Sequence, residues 1–350
     1  MMMGKTRRPL AEPAGLRLSP AFSHSGFFSV YPQPTLQTSR ELWFNGARMN
    51  PEPTAGCGCK PPWIRVKIGQ NEVFQATRSR LRAHGLHTVC EEALCPNLGH
   101  CWSRGRATLL ILGDRCTRGC RFCNVDKREV LPPDPGEPRR AAAAVRDAGL
   151  KEVVLTSVTR DDLPDGGAAL WAETVEAVHA AVPGILVEVL VPDFGGDPDA
   201  LDAVLRARPE VFGHNLETVP RLYPQARPQA DYARSLAVLR RAAAAGLVAK
   251  TSLMLGLGET YGEIEQTLRD ARDAGCRVFY AGQYLQPSRR HLPVARYVEP
   301  EEFARVRDLG YALGFGFVAS EPLVRSSYHE EGQSAFVRGA LEPRQAPNGY

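Results

Sequence analysis

From residue 108 onward, short apolar segments alternate with Ala-rich amphipathic segments. The apolar segments predict six strands and a seventh candidate, at residues 108–112, 153–158, 186–191, 211–216, 248–255, 278–284 and 315–319. The segments between them predict helices, at residues 139–148, 168–181, 199–207, 232–245 and 261–274. Regular alternation of this kind indicates a parallel sheet with helical crossovers. We predict an α/β fold, a partial (β/α)6 barrel of the TIM type, because a full barrel needs eight units.

Cysteines are concentrated just before and just after the first predicted strand. Six of the nine cysteines lie within residues 90–123, in the patterns C-x4-C-x5-C and C-x3-C-x2-C. We call them the first triplet (Cys90, Cys95 and Cys101) and the second triplet (Cys116, Cys120 and Cys123). The second triplet follows the carboxyl end of a strand, where parallel α/β folds place their chemistry.

Three simpler explanations of the triplets compete with metal clusters. The second triplet could share one face of a buried helix, but Gly119 and the charged Arg115, Arg118 and Arg121 disfavour this. Disulfides are typical of secreted chains, and this chain does not resemble one. Structural zinc prefers four ligands from paired units. Two triplets, each without an obvious fourth cysteine, favour two iron–sulfur clusters, each with one iron open to another ligand.

Length and composition limit the remaining possibilities. A chain of 350 residues suits one large α/β domain with extensions, or at most two domains. The net charge of +4 is too small to indicate nucleic-acid binding. No apolar segment approaches the ~18 residues that a membrane helix needs. We therefore expect a soluble protein with neither nucleic acid nor membrane as a partner.

The chain divides into four predicted parts. Residues 1–59 read as an irregular or disordered extension, residues 60–107 as an extension carrying the first triplet, residues 108–320 as the barrel, and residues 321–350 as a C-terminal extension with a loose tail. The first part is poor in acids, like a mitochondrial presequence, but its prolines interrupt any amphipathic helix. Translation starting near Met49 is an equal alternative. Cys57 and Cys59 are assigned no chemistry, and we expect a bacterial cytoplasmic protein, mitochondrial only if this part is a presequence.

Polar residues follow several predicted strands. They occur in TSVTRDDLPDGG (156–167), at His214, Asn215 and Glu217, between residues 250 and 260, and between residues 283 and 287. A single polar loop would indicate only a turn. Four at the same end of consecutive strands predict a shared polar site that faces the cysteines.

Several motifs resemble those of one known family. The second triplet, with Phe122 before its last cysteine, resembles the motif of the radical S-adenosylmethionine superfamily. HTVCEEALCPNLGHCW, TSVTRDDLPDGG, GHNLETV, LMLGLGET, QYLQPSRRHLPV and RSSY (325–328) are similar to motifs of the lipoyl synthase family, from about residue 60 to about residue 332. Residues 1–59 and the tail after Tyr328 have no counterpart in these motifs.

The resemblance implies two 4Fe–4S clusters and S-adenosylmethionine as cofactors. The second triplet would hold the cluster that binds and cleaves S-adenosylmethionine. The first triplet would hold an auxiliary cluster, with Ser327 as its fourth ligand. The implied reaction inserts sulfur from the auxiliary cluster at C6 and C8 of an octanoyl chain on a carrier-protein lysine, using two molecules of S-adenosylmethionine.

The resemblance also implies contacts and partners. Residues expected near S-adenosylmethionine are Phe122, Ser157, Asp161, Asn215, Glu217 and Lys250. Expected partners are octanoylated carrier domains, namely the glycine cleavage H protein and the E2 subunits of 2-oxoacid dehydrogenases, and an electron donor such as ferredoxin or flavodoxin. A monomer is expected. Arg289, Arg290 and His291 either meet an acidic carrier surface or form a solvated loop.

Two rival functions remain open from the sequence. The first is another sulfur-inserting radical enzyme, similar to biotin synthase or to a methylthiotransferase that acts on RNA. The former would lack the first triplet, and the latter usually carries a basic RNA-binding appendix. The second is a non-catalytic iron–sulfur carrier, which would explain the cysteines but not the barrel or its polar strand ends.

Overall fold

The computed structural model describes residues 60–66, 71–328 and 330–342. The strands are β1 His87–Thr88, β2 Thr108–Ile111, β3 Glu152–Ser157, β4 Leu186–Leu190, β5 Val211–Gly213, β6 Val248–Leu255, β7 Val278–Gln283 and β8 Phe317–Ser320. The α-helices are α1 Glu72–Ala83, α2 Val89–Glu92, α3 Leu98–Trp102, α4 Glu137–Asp147, α5 Ala168–Ala181, α6 Pro198–Arg206, α7 Tyr223–Ala226, α8 Tyr232–Ala244, α9 Tyr261–Asp273, α10 Pro300–Ala312 and α11 Glu331–Leu341. Short 3₁₀ turns lie at Phe194–Gly196 and Pro220–Leu222.

The eight strands form one sheet in chain order. Strands β2 to β8 run parallel, and β1 pairs antiparallel with β2 through His87 and Leu110. In the described part of the chain β8 does not pair with β1, so the sheet stays open. A helix follows each of β2 to β7, which gives six β/α units and one additional strand. This confirms the predicted partial (β/α)6 barrel.

Local sequence explains where several helices begin and end. Asp197 caps α6 and Asp231 caps α8, each by accepting backbone N–H bonds with its side chain. At α9, Thr260 and Glu263 form a reciprocal capping box. The expected C-terminal glycines Gly149, Gly246 and Gly275 all have positive φ, which confirms the predicted helix ends.

The core lies between the sheet and the surrounding helices. Leu155 of β3 and Val187 of β4 are fully buried there, as is Trp171 of α5. The amphipathic pattern of the helices places apolar residues on the sheet side, as at Ile264 and Leu268 of α9.

Helix α11 closes the amino-terminal end of the parallel strands. Its fully buried Val337 packs against Leu186, Val211, Val248 and Val278, the first residues of β4, β5, β6 and β7. The expectation of a loose tail is therefore wrong for residues 331–341. The sequence does not predict this helix because it is short. Its buried side chains can be recognised only from their contacts with the strand ends.

A buried ion pair lies next to this helix. Lys250 Nζ is 2.7 Å from Glu188 Oε1 and 2.8 Å from Gln333 Oε1, and it lies over the ring of Tyr280. Gln333 Nε2 donates to the other Glu188 oxygen at 2.6 Å. Lys250 is the third residue of β6, so it lies five residues, roughly 16 Å, from the carboxyl end of that strand.

Other predictions differ from the structure in detail or lie outside it. Strand β5 is shorter than the predicted 211–216, because the chain leaves the sheet at His214 and returns to bridge Leu253 at Glu217. Strand β1 and helices α2, α3, α7 and α10 have no counterpart among the predicted elements. The predictions for residues 1–59, including Cys57 and Cys59, lie outside the described residues, and the four-part division remains a prediction.

Within the described ranges, no helix combines the length and apolar character that crossing a bilayer requires.

Replacing Lys250 with Met should destabilise the fold, because Glu188 would then be buried without its cation. We expect the free energy of unfolding to fall by about 3–5 kcal/mol, measured by urea denaturation at pH 7. As a control, Arg241→Met removes an exposed ion pair with Asp202 and should change stability little. If the Lys250→Met protein is as stable as this control, the ion pair of Lys250 and Glu188 does not stabilise the fold.

Candidate functional site

The second triplet lies on a loop between β2 and α4 that is fixed by a hydrogen bond within the loop and by hydrogen bonds to two other segments. The backbone N–H of Cys116 donates to Asp126 O at 2.8 Å, and that of Arg121 donates to Ala226 O at 2.8 Å. The Cys116 Sγ accepts a hydrogen bond from the Thr159 N–H at 3.3 Å. The loop has no regular secondary structure, so these contacts determine where its thiols lie.

Arg118, inside the second triplet, is the main side-chain anchor of this loop. Its guanidinium binds both carboxylate oxygens of Asp161 at 2.7 and 2.8 Å, and it binds Asp193 at 2.6 Å. Asp161 follows β3 and Asp193 follows β4, and the Asp193 side chain has no exposed surface. Burial alone would raise the pKa of Asp193, but hydrogen bonding and the positive charge of Arg118 outweigh it and hold the pKa at about 2.

The environments of Cys120 and Cys123 favour the neutral thiol over the thiolate. Burial raises the pKa of Cys123 to about 12, and it also raises the pKa of Cys120. The carboxylate of Glu217 adds to both increases, whereas the charge of Arg227 opposes the increase at Cys120. Metal binding at such thiols must therefore displace protons.

The first triplet lines a cavity of about 300 Å³, which we call the first-triplet cavity. Cys90 lies on α2, Cys101 on α3 and Cys95 on the loop between them. Ser327 and Arg325 line the same cavity. Burial raises the pKa of Cys90 to about 11 and that of Cys101 to about 12. All six cysteines of the two triplets are free thiols.

Residues 321–328, which we call the serine segment, connect β8 to the first triplet. Asn97 Nδ2 donates to Leu323 O at 2.6 Å, and the Tyr328 hydroxyl lies 3.2 Å from His100 Nε2. The segment passes so close to β7 that a Cβ on Gly282 would overlap the Val324 carbonyl. Arg325 holds the local turn through hydrogen bonds to the carbonyls of Pro322 and Val324.

Two of the residues predicted to contact S-adenosylmethionine lie beside the second triplet. Asn215 Nδ2 donates to Glu217 Oε1 at 3.1 Å, and Arg227 Nη1 donates to Asn215 O at 2.8 Å. Glu217 has a φ of 67°, a left-handed conformation that is uncommon for a residue with a side chain. Burial raises the pKa of its carboxyl group. Phe122 is nearby, packed with the cluster of Ala226, Tyr284 and Leu292.

The other three are engaged elsewhere. Asp161 binds Arg118 and so anchors the loop. The Ser157 hydroxyl accepts a hydrogen bond from Trp171 Nε1 on α5 at 3.1 Å, so it is on the side of the sheet that faces the helices. Lys250 lies at the amino-terminal end of the barrel with Glu188, far from the strand ends where the sequence analysis expected it. The reason is strand length, since β6 continues for five residues beyond Lys250.

Three residues that shape the site, Arg118, Asp193 and Arg227, are not among the predicted site residues. In the sequence, Arg118 is only a charged neighbour of the cysteines, and Asp193 follows a predicted strand within VPDF. Arg227 was missed because it lies between helices α7 and α8, well beyond the end of β5. The signal available in the sequence is a polar residue directly after a predicted strand. Among these three residues, only Asp193 shows it.

The loop after β7 also packs against the second triplet. His291 Nε2 lies 3.1 Å from Cys123 O, and the Leu292 N–H donates to Arg121 O at 3.0 Å. Arg289 and Arg290 next to them are exposed.

The donor groups at both sites suit iron–sulfur clusters. In the described ranges, no three His, Cys, Asp or Glu side chains are placed to hold a single metal ion. The match to iron–sulfur clusters therefore rests on the chemical type of the ligands. Each triplet supplies three thiols, the ligands that such clusters take. Arg227 Nε beside the second triplet is buried and has no hydrogen-bond partner within the described residues, which leaves a donor available to a bound group.

Comparison with known proteins agrees with this arrangement. The sequence pattern of the Radical SAM superfamily matches residues 110–271. The chain is 52% identical to a lipoyl synthase of Chlorobaculum parvum over 279 residues, which are 79% of this chain and 96% of that protein. It is 53% identical to a lipoyl synthase of Nitratidesulfovibrio vulgaris over 271 residues, which are 77% of this chain and 91% of that protein. The chain belongs to the lipoyl synthase family.

Among solved structures, the chain is similar to the crystal structure of HydG, a maturase of the [FeFe]-hydrogenase. The TM-score is 0.48 and the sequences are 14% identical, over 77% of this chain and 60% of that chain.

Membership in the lipoyl synthase family identifies the cofactors as S-adenosylmethionine and 4Fe–4S clusters. The protein is a radical S-adenosylmethionine enzyme.

Replacing Arg118 with Met should destabilise the protein at pH 7 by about 3–5 kcal/mol, because Asp193 would lose its main cation while buried. The Asp193 pKa is depressed from 3.8 to about 2, so its stabilising contribution is complete above 3.8 and is lost as the pH falls towards 2. The difference in the free energy of unfolding between the wild type and Arg118→Met should therefore become smaller between pH 3.8 and pH 2. Urea denaturation at several pH values measures it, and a difference that stays constant down to pH 2 would contradict this role.

Proposed function

We propose that this protein inserts two sulfur atoms, at C6 and C8, into an octanoyl chain carried on a lysine of a lipoyl carrier domain, and thereby forms the lipoyl cofactor. The sulfur would come from the cluster held by the first triplet. The observation that carries this proposal is the first-triplet cavity, where three thiols and the hydroxyl of Ser327 line one space. A second set of three thiols, Cys116, Cys120 and Cys123, lies on the loop after β2.

The residues of the two triplets would have different tasks. The second triplet would hold the cluster that binds S-adenosylmethionine, and the first would hold the auxiliary cluster with Ser327. When bound, these cofactors supply the radical and sulfur chemistry that an unactivated C–H bond requires, which no acid–base group could provide. The chain's own side chains hold, orient and bury the reacting groups.

Ser327 fits a cluster that has to give up sulfur. A serine oxygen is a harder ligand than a thiolate and suits iron sulfide less well. Within the described part of the chain, the Ser327 hydroxyl makes no hydrogen bond to another protein group, so its oxygen is available as a ligand. A labile fourth ligand would allow the cluster to open while the three thiolates keep it attached.

Glu217 and Asn215 would bind S-adenosylmethionine beside the second triplet. S-adenosylmethionine carries a sulfonium and an ammonium group, and the Glu217 carboxylate together with the amide oxygen of Asn215 suits such cations. Both N–H groups of that amide are already bonded to Glu217 and Ser326. The unpartnered Arg227 Nε is a donor for the carboxylate of the same molecule. We do not extend this role to Asp161, Ser157 or Lys250, whose polar groups are already engaged.

The family acts on lipoyl carrier proteins. We propose the glycine cleavage H protein and the E2 subunits of 2-oxoacid dehydrogenases as carriers, and ferredoxin or flavodoxin as the electron donor. We further propose that the protein is a monomer and that it acts in a bacterial cytoplasm.

One anaerobic assay tests the proposal as a whole. The protein is reconstituted with iron and sulfide, and iron is counted per chain. Reductant, S-adenosylmethionine and an octanoyl-lysine peptide are then added, and the peptide is weighed by mass spectrometry. About eight irons per chain and a peptide that gains two sulfurs are expected. Formation of 5′-deoxyadenosine without a thiolated peptide would show that octanoyl-lysine is not the substrate. If S-adenosylmethionine is not cleaved at all, the result would favour a non-catalytic iron–sulfur carrier.

Replacing any one cysteine of the second triplet with Ala should abolish cleavage of S-adenosylmethionine, because the cluster at that site loses a ligand. The measurement is 5′-deoxyadenosine formed per chain after reduction. Cys276→Ala is the matched control, since Cys276 is fully buried against the core and lies outside both triplets. Cleavage at the wild-type level in a second-triplet variant would show that the assignment is wrong.

Replacing any one cysteine of the first triplet should have a different effect. At least part of the cleavage of S-adenosylmethionine should remain, whereas sulfur insertion should stop because the sulfur source is gone. Both products can be quantified in the same reaction mixture. A Cys90, Cys95 or Cys101 variant that still forms lipoyl product would exclude the first-triplet cluster as the sulfur donor.

A further inference from the structure

The two adjacent serines of the serine segment have different surroundings. Ser327 lines the first-triplet cavity. Ser326 Oγ instead accepts a hydrogen bond from Asn215 Nδ2 at 3.0 Å. Asn215 follows β5, so this bond joins the serine segment to the carboxyl end of a strand on the other side of the site.

The amide group of Asn215 is shared between two acceptors. Its Nδ2 donates to Ser326 and, at 3.1 Å, to Glu217 Oε1. A primary amide nitrogen carries two hydrogens, so both are used. The Asn215 backbone is fixed as well, because its carbonyl accepts a hydrogen bond from Arg227. The amide is therefore a rigid donor towards Ser326.

The serine segment has other attachments, but they lie on either side of the two serines. Asn97 holds the segment at Leu323, and His100 contacts the hydroxyl of Tyr328. Among the described residues, the bond to Asn215 is the only side-chain hydrogen bond made by Ser326 or Ser327. The backbone of the two serines forms a turn, closed by a hydrogen bond from the Tyr328 N–H to the Arg325 carbonyl at 2.8 Å. The bond to Asn215 fixes this turn relative to the end of β5.

We propose that Ser326 and Asn215 are positioning residues for Ser327. By fixing Ser326, the hydrogen bond turns the Ser327 hydroxyl towards the first triplet. This rests on the proposed function, in which Ser327 is the fourth ligand of the auxiliary cluster. A weak oxygen ligand contributes to binding only when its position is set in advance, because otherwise other rotamers compete.

The shared amide also joins the two cysteine sites. Glu217 lies close enough to Cys120 and Cys123 to affect both thiols, and Ser326 is next to the ligand of the first triplet. Asn215 donates to both with one nitrogen.

The test uses the full-length, reconstituted protein with both clusters bound. The rate at which iron passes to a chelator is followed anaerobically, and the first-triplet phase is identified by its absence from a Cys90→Ala variant. Four proteins are compared: the wild type, Ser326→Ala, Ser327→Ala and the double variant. Loss of one hydrogen bond should make Ser326→Ala release iron about five- to tenfold faster than the wild type.

The double variant separates positioning from a general loss of stability. If Ser326 acts only through Ser327, the double variant should release iron no faster than Ser327→Ala alone. Asn215→Ala should behave in the same way, which provides a second variant with the serine segment unchanged. Ser326→Thr retains a hydroxyl and should restore slow release. Ser320→Ala is the control. It removes a buried hydroxyl on β8 that donates a hydrogen bond to Phe303 O of α10 at 2.8 Å.

The outcomes distinguish this inference from the function on which it rests. Fast release from Ser327→Ala together with wild-type release from Ser326→Ala would overturn the positioning role and leave the ligand assignment intact. Wild-type release from Ser327→Ala would refute the ligand assignment itself. Additive effects in the double variant would show that Ser326 acts independently of Ser327, and would also overturn the proposal.

Discussion

Arg118 lies between two carboxylates that leave neighbouring strands, Asp161 after β3 and Asp193 after β4. Parallel strands bring their carboxyl ends to one edge of the sheet, and acidic residues at that edge need a cation. The cation is Arg118, which lies inside the second triplet. The ion pairs that neutralise the two carboxylates therefore also fix the position of the thiols. A buried ion pair is a poor source of net stability, but losing one partner is costly. The loop therefore has one strongly favoured position.

Burial has a second consequence for the six thiols. It raises the pKa of five of them, so the chain can bring those five together as neutral groups. Neutral thiols do not repel one another as thiolates would, which allows the two sites to form before metal is present. Nearby cations, Arg227 at the second triplet and Arg325 at the first, then favour the thiolates that a cluster requires. Cluster binding should accordingly release protons.

The C-terminal part of the chain links the features of the barrel. After β8 the serine segment crosses β7 at Gly282 and reaches the first triplet, and α11 then covers the amino-terminal strand ends. The buried pair of Lys250 and Glu188 binds Gln333 of α11. Ser327 is therefore held by a segment fixed at both ends, and Asn215 adds a contact between them.

The sequence by itself determined the class of fold, and it predicts which cysteines would hold the cofactors. Strand and helix periodicities depend on local patterning, and the alternation from residue 108 admits few topologies other than a parallel, partly closed barrel. Cysteine spacing indicated two cluster sites, because ligands close in sequence can be recognised without knowing the fold. The predicted strands agree closely with β2 to β8.

Tertiary structure decided which polar residues lie beside the cysteines. Lys250 and Ser157 were placed near S-adenosylmethionine from their positions in strands, but one is too far from the strand end and the other bonds Trp171 on a helix. The partners of Arg118, the helix after the serine segment and the different surroundings of Ser326 and Ser327 depend on contacts between residues distant in sequence. The Asn215–Ser326 bond spans 111 positions. Local patterning carries no signal for such pairs, because only packing of the sheet, its helices and the C-terminal segment brings them within hydrogen-bonding distance.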